Sequence, residues 1–148
     1  MSSTVAAWSA LLAAVTSLAT LFAATVIAGR REHRMWTRNA LTGALVAYLD
    51  ASWRSTDALR RSVTFEVTDP ARTAQLEAAR TAYREMRSQL TRLRLLASSK
   101  IVEAGEQLLQ VQRATIDTTS IESADFARVS AGRAELVRRA RRDMALPK

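Results

Sequence analysis

Cysteine is absent from this chain, and its 148 residues include only two prolines and four glycines. Without cysteine the chain has no disulfide bond, no cysteine-ligated zinc site and no thiol nucleophile. The scarcity of proline and glycine leaves few positions at which a helix must break, and the abundant leucine, alanine and arginine are good helix formers. The composition therefore predicts an all-α fold.

Combinations of side chains that support catalysis are also missing. His33 is the only histidine and lies within a cluster of arginines, and no glycine-rich phosphate loop or nucleophile motif occurs. Glu103 and Glu106 would share one helix face, but carboxylate metal sites in helical bundles also draw on histidine, which is unavailable there. We therefore expect no enzymatic activity, no cofactor and no metal site.

Charged side chains are missing from residues 2–29. As a helix, the apolar and small residues 4–28 would extend about 37 Å, more than the hydrocarbon core of a bilayer at about 30 Å. A cleaved export signal would have a basic start and a shorter apolar stretch, and a buried helix of a soluble protein is the third alternative. The pattern favours a transmembrane anchor at residues 1–29, rich in small residues that allow two such helices to associate.

Positive charge follows this segment on one side only. Four arginines come directly after it, opposed by Glu32 alone: Arg30, Arg31, Arg34 and Arg38. Basic residues next to a span favour the cytoplasmic side, so we predict a single-pass protein of the plasma (inner) membrane with its N-terminus outside. The same arginines are expected to contact anionic lipid headgroups.

The remaining residues, 30–148, predict a cytoplasmic helical bundle with antiparallel helices at about 30–66, 70–97, 99–117 and 120–145. Asp69 and Pro70 are typical of a helix start, Ser98 or Ser99 could cap the third helix, and Thr119 with Glu122 has the spacing of a capping box.

Apolar residues recur at intervals of three and four along each helix. In the first two helices the expected core positions are Leu41, Leu45, Tyr48, Ser52, Leu59 and Val63, and Leu76, Ala79, Tyr83, Met86, Leu90, Leu93 and Ala97. In the last two they are Ile101 or Val102, Gly105, Leu108, Leu109, Gln112 and Ile116, and Phe126, Val129, Leu136, Val137, Ala140 and Met144.

A second basic cluster closes the last predicted helix: Arg138, Arg139, Arg141 and Arg142. If the helices alternate in direction, this cluster returns towards the membrane and meets the same headgroups as the first. The alternative is a solvated helix end, where cations are favoured by the helix dipole. The formal net charge of +8 is spread over all helices without a DNA-reading motif, so anionic lipid is a better match than nucleic acid.

Three stretches carry a resemblance: "GRREHRMWTRNALTGALVAYLDA", "LRLLASSKIVEAGEQLL" and "FARVSAGRAELVRRAR". In this order, after a single span, they resemble small single-pass membrane proteins of actinobacteria and their phages. That resemblance implies a membrane anchor with a helical cytoplasmic domain. It implies no activity, cofactor or catalytic residue.

Together these features predict a membrane-anchored helical interaction or scaffold module that self-associates or binds a cytoplasmic protein partner. The alternative is a membrane-perturbing or pore-forming effector of the phage lysis or defence type. Only scattered serines and threonines interrupt the apolar segment, so the sequence gives little support for a polar-lined channel.

Overall fold

The computed structural model describes residues 35–118 and 123–144. The chain divides into two units, Met1–Arg38 and Asn39–Lys148. In the first unit the described residues, 35–38, are helical. The predicted span at residues 4–28 lies outside the described part of the chain, as do Arg30, Arg31 and Arg34. Within that part, no helix has the length and apolar character needed to cross a bilayer.

The second unit is a bundle of helices, which confirms the predicted all-α class. Helix α1 occupies residues 39–62 of this unit, α2 is Pro70–Leu96, α3 is Ser99–Asp117 and α4 is Ser123–Asp143. The described residues contain no strand.

Helix α1 ends at Ser62, four residues before the end expected from the sequence. The Ser62 hydroxyl donates to the Leu59 carbonyl oxygen at 2.7 Å, and the Thr64 hydroxyl donates to that of Arg61 at 2.7 Å. The same carbonyls also accept from backbone N–H groups, that of Leu59 from Val63 at 3.3 Å and that of Arg61 from Thr64 at 3.1 Å, so the last bond spans three residues and the helix closes in a tighter turn. Val63 consequently lies beyond the helix and is 45% exposed, so its expected core position is wrong.

The predicted helix starts at Asp69 and Ser98 differ in their capping. The Asp69 carboxylate accepts a hydrogen bond from the backbone N–H of Ala71 at 2.8 Å, and Pro70 occupies the first position of α2. Ser98 holds the N-cap position of α3, but its side chain makes no capping hydrogen bond. The predicted capping box at Thr119 and Glu122 lies outside the described residues.

Neighbouring helices run in opposite directions. Between α1 and α4, the Thr42 hydroxyl contacts the Met144 sulfur at 3.9 Å, while at the other end Arg60 lies over the ring of Phe126. Between α3 and α4, Arg139 donates to the carbonyl oxygen of Lys100, near the start of α3. The carboxyl end of α4 therefore lies beside the amino ends of α1 and α3.

The main core is formed by one face of each helix. In α2 the predicted face is confirmed, because Ala79, Met86, Leu90 and Leu93 are buried. Five of the six arginines of α2 are exposed, at positions 80, 84, 87, 92 and 94. Gly105 is closely packed against α2, because an added Cβ would lie 2.9 Å from Leu90 Cδ1.

Candidate functional site

A layer of polar side chains crosses the core between α1 and α3. Gln112 of α3 is fully buried, and its Nε2 donates to the Ser55 hydroxyl at 3.0 Å. That hydroxyl donates in turn to the carbonyl oxygen of Ala79 on α2 at 3.1 Å. On the other side, Ser52 donates to Gln112 Oε1 at 3.4 Å. Because buried polar groups are costly unless paired, these hydrogen bonds make the layer compatible with a packed core.

Arg133 of α4 reaches this layer and is 4% exposed. Its Nη1 donates to the Ser52 carbonyl oxygen at 3.3 Å, to the Ser52 hydroxyl at 3.4 Å and to the Thr56 hydroxyl at 3.1 Å. Its Nη2 donates to the Ser130 hydroxyl at 3.3 Å, whereas its Nε is buried and has no hydrogen-bond partner. The guanidinium carbon lies 3.7 Å from the centroid of the Trp53 ring.

Arg133 is thus a buried cation without a carboxylate partner among the described residues. Burial lowers the pKa of Arg133 below its ordinary value, and the positive charge of Arg60 lowers it further. A cation–π contact contributes only about 0.5–2 kcal/mol, whereas removing a charge from water costs several kcal/mol. This arginine is therefore poorly explained by stability alone.

A groove of about 690 Å³ lies next to this arginine, between α1 and α4; it is called here the α1–α4 groove. Leu49 and Trp53 from α1 and Ala134 and Val137 from α4 provide its apolar side chains. Trp53 is 55% exposed, so its ring offers apolar surface in the groove.

Positive charge surrounds this apolar floor. Besides Arg133, three arginines of α4 line the groove: Arg138, Arg141 and Arg142. Among the described residues, no aspartate or glutamate lines it. The α1–α4 groove thus combines an apolar surface with concentrated, like-signed charge.

A second arginine-rich groove lies between α2 and α3 and differs in charge balance. Arg80 is paired with Glu77 at 2.6 Å, Arg94 with Glu106 at 2.8 Å and Arg113 with Asp117 at 3.4 Å. Because acidic residues of the same surface partly neutralise these arginines, this groove is closer to an ordinary solvated face.

The arginines predicted to contact lipid headgroups have different surroundings. Arg38 is exposed within the first unit. Arg138 pairs with Glu135 and also lines the α1–α4 groove, together with Arg141 and Arg142.

Arg139 instead bridges two helices: its guanidinium pairs with Glu103 of α3 at 2.8 Å and with Glu135 of α4 at 2.7 Å. Its side chain is only 27% exposed. Glu103 and Glu106, considered above as a possible carboxylate pair, have separate partners in Arg139 and Arg94.

Arg133 and Trp53 were not recognised as functional candidates from the sequence. Arg133 occupies a core position of α4, because it follows the buried Val129 by four residues and precedes the buried Leu136 by three. The signal in the sequence that could have identified Arg133 is its position in the helical pattern, at which an apolar side chain is expected. The position of Trp53 across the groove follows only from the packing of α1 against α4.

Comparisons with models of protein families, with curated protein sequences and with solved structures give no match. The α1–α4 groove and its buried arginine are therefore the structural indications of function.

Proposed function

We propose that this chain is a membrane-anchored helical interaction module, and that its second unit binds a protein partner in the α1–α4 groove. The observation that carries the proposal is the combination of an apolar floor with four arginines and no lining carboxylate among the described residues. Grooves between helices commonly accept an amphipathic helix, whose apolar face covers the floor. The arginines then select a partner with acidic residues beside that face.

A different protein fits this groove better than a second copy of the chain. The net charge of +8 makes two copies repel each other. Several acidic side chains that a second copy could offer are already paired with arginines of their own chain, as at Glu85, Glu106 and Asp117. Self-association through the small residues of the proposed span would be independent of this groove.

The proposed membrane anchor is residues 4–28, supported by their length and apolar character and by the arginines that follow. It would place the second unit at the cytoplasmic face. Arg141 and Arg142 lie at the end of α4 that is beside the start of α1. Arg141 and Arg142, like the arginines at positions 30–38, are proposed to contact anionic headgroups.

Site-specific photocrosslinking in the full-length protein tests this proposal. A photoreactive amino acid at Ala134, in the groove, should give one discrete crosslinked protein in cells, whereas the same amino acid at Ala114, exposed on α3, should not. Val137→Glu should abolish the Ala134 crosslink, because it places a carboxylate on the apolar floor. Thermal unfolding of the Val137→Glu protein should show that the bundle remains folded.

Three results would contradict the proposal. These are equal crosslinking from Ala134 and Ala114, crosslinking unaffected by Val137→Glu, and prompt depolarisation of the membrane when expression is induced. Depolarisation, measured with a potential-sensitive dye, would favour the pore-forming alternative instead.

A further inference from the structure

The guanidinium of Arg133 has one satisfied end and one unsatisfied edge. Nη1 is held in the polar layer by three acceptors from Ser52 and Thr56. On the edge formed by Nε and Nη2, Nε has no acceptor and Nη2 has only the Ser130 hydroxyl at 3.3 Å. A carboxylate binds such an edge with two parallel hydrogen bonds, one to each nitrogen.

The surroundings of Arg133 suit a carboxylate ligand. The Trp53 ring contacts the guanidinium and helps to fix its orientation, and Ser130 and Arg133 both line the α1–α4 groove. Because Nη1 is tied to α1, the guanidinium is already oriented before a ligand arrives, so little side-chain entropy is lost on binding. Nε itself is buried, so a carboxylate reaches it when the side chains that cover it shift aside.

We propose that the Nε–Nη2 edge of Arg133 binds the carboxylate of a glutamate or aspartate on an acidic amphipathic helix docked in the α1–α4 groove. Arg133 is thus the residue that determines specificity for a carboxylate at one position of the partner. This inference rests on the proposed docking function and adds the chemical identity of the partner's anchoring group.

The spacing of positive charge distinguishes a helix from a lipid as the occupant. Arg133 and Arg142 are nine residues apart on α4, which corresponds to about 13 Å along the helix axis. A phospholipid has one anionic headgroup and an apolar tail, so it needs cations at one end of a groove only. An amphipathic helix can present carboxylates on successive turns, which matches arginines spread along the whole groove.

Binding of two synthetic peptides to the full chain in nanodiscs of neutral lipid tests the inference. Both peptides are amphipathic helices of about four turns with a leucine face. One has glutamates beside that face, and the other has glutamines at the same positions. Fluorescence anisotropy gives the affinities, and the NMR signal of the Arg133 Nε–H group reports directly on the contact.

The wild-type protein should prefer the glutamate peptide, and this peptide should shift the Arg133 Nε–H signal. Arg133→Gln and Arg133→Met should each weaken binding of the glutamate peptide at least about tenfold, because a desolvated charged hydrogen bond is lost. Binding of the glutamine peptide should change little. Arg128→Gln, a matched loss of charge at an exposed position of α4, should leave the preference intact.

Folding of the variants is measured separately. Arg133→Met removes a buried cation, so its midpoint of thermal unfolding should equal or exceed that of the wild type. Loss of binding together with retained stability would support the inference. If only Arg133→Gln unfolds, the Met variant and the wild-type NMR signal still decide the outcome.

Several results would overturn the inference. If the Arg133 variants lose the same affinity for both peptides, or if the Nε–H signal does not move, the proposed carboxylate contact is wrong. Docking in the groove would still stand if Val137→Glu abolishes binding. If neither peptide binds the wild type at low salt, or Val137→Glu changes nothing, groove docking itself fails. If anionic phospholipid in the nanodiscs shifts the Nε–H signal without peptide, the occupant is a lipid headgroup.

Discussion

Tyr48 and Arg133 are buried polar side chains of the core, and they differ in how fully they are hydrogen-bonded. The Tyr48 hydroxyl donates to the carbonyl oxygen of Gly105 at 2.6 Å and leaves no charge in the core. Arg133 leaves a charge that no described carboxylate neutralises. At the scale of single residues, Tyr48 is explained by stability, and Arg133 is better explained by a ligand.

Tyr48→Phe should lower the free energy of unfolding by about 1 kcal/mol at neutral pH, because one buried hydrogen bond is lost. Burial raises the pKa of Tyr48 above its ordinary value, and Tyr83 raises it further. The unfolded chain therefore releases this proton at about pH 10 while the folded chain retains it, so stability falls as pH rises above that value. Urea unfolding at neutral and alkaline pH should show a shallower alkaline loss in Tyr48→Phe than in the wild type. Parallel pH dependence in the two proteins would show that Tyr48 does not cause the loss.

At the scale of helices, periodicity determines which face is buried, and side-chain chemistry determines where a helix ends. The three-and-four spacing of α2 correctly indicated its core face, on which Met86 and Leu93 are fully buried. The end of α1 differs from the prediction, because the N–H groups of Thr64 and Phe65 bond to carbonyls three residues back and the Ser62 and Thr64 hydroxyls bond to carbonyls of the same turn. Such bonds compete with continuation of a helix without disturbing the apolar pattern before them.

Leu90→Asp and Arg87→Asp form a matched pair on α2. Leu90 is 2% exposed, so an aspartate there would place a charge without a partner in the core and should lower the free energy of unfolding by several kcal/mol. Arg87 is exposed, and its replacement should change the free energy of unfolding by no more than about 0.5 kcal/mol. Thermal unfolding followed by circular dichroism compares them. Equal midpoints would mean that the buried face of α2 is wrongly assigned.

At the scale of the whole molecule, charge is distributed unevenly between surfaces. The groove between α2 and α3 contains several arginines with acidic partners, whereas among the described residues only Arg138 of the four arginines in the α1–α4 groove has a salt bridge, to Glu135. The arginines at positions 30–38 are also proposed to contact anionic lipid headgroups. The proposed function therefore assigns two roles to positive charge, one towards lipid and one towards a protein.

Membrane topology is tested with a reporter enzyme that is active only outside the cytoplasm. Fused before Ser2, the reporter should be active, and fused after Lys148 it should be inactive, because the arginines after residue 29 favour the cytoplasm. Replacement of Arg30, Arg31, Arg34 and Arg38 by glutamine should reduce the difference in reporter activity between the two fusions. Activity of the C-terminal fusion alone would reverse the proposed orientation.

Binding to anionic vesicles tests the second arginine cluster. A fragment starting at Arg38, shown by circular dichroism to remain helical, should bind such vesicles at low salt. Replacement of Arg138, Arg139, Arg141 and Arg142 by glutamine should weaken this binding. The control, with glutamine at Arg80, Arg84, Arg87 and Arg113, removes the same charge from the α2–α3 groove. Equal loss in both variants would mean that total charge, and not this cluster, determines lipid binding.

The all-helical class and the core face of α2 were determined by the sequence itself. Both depend on local properties, since helix propensity and the spacing of apolar residues are set by neighbours along the chain. Asp69 and Pro70 indicated the start of α2 for the same reason. The membrane anchor and its orientation also come from the sequence and stay predictions.

Only the tertiary structure revealed the candidate site. The α1–α4 groove joins Trp53 to Arg133, which are 80 positions apart in the chain, and no local pattern specifies that helices so distant in sequence will pack together. Whether Arg133 Nε has a hydrogen-bond acceptor likewise depends on every side chain that the two helices place around it. The sequence could mark Arg133 as unusual in an apolar stripe. Its burial without a counter-ion, beside an apolar groove, was decided by how the helices pack.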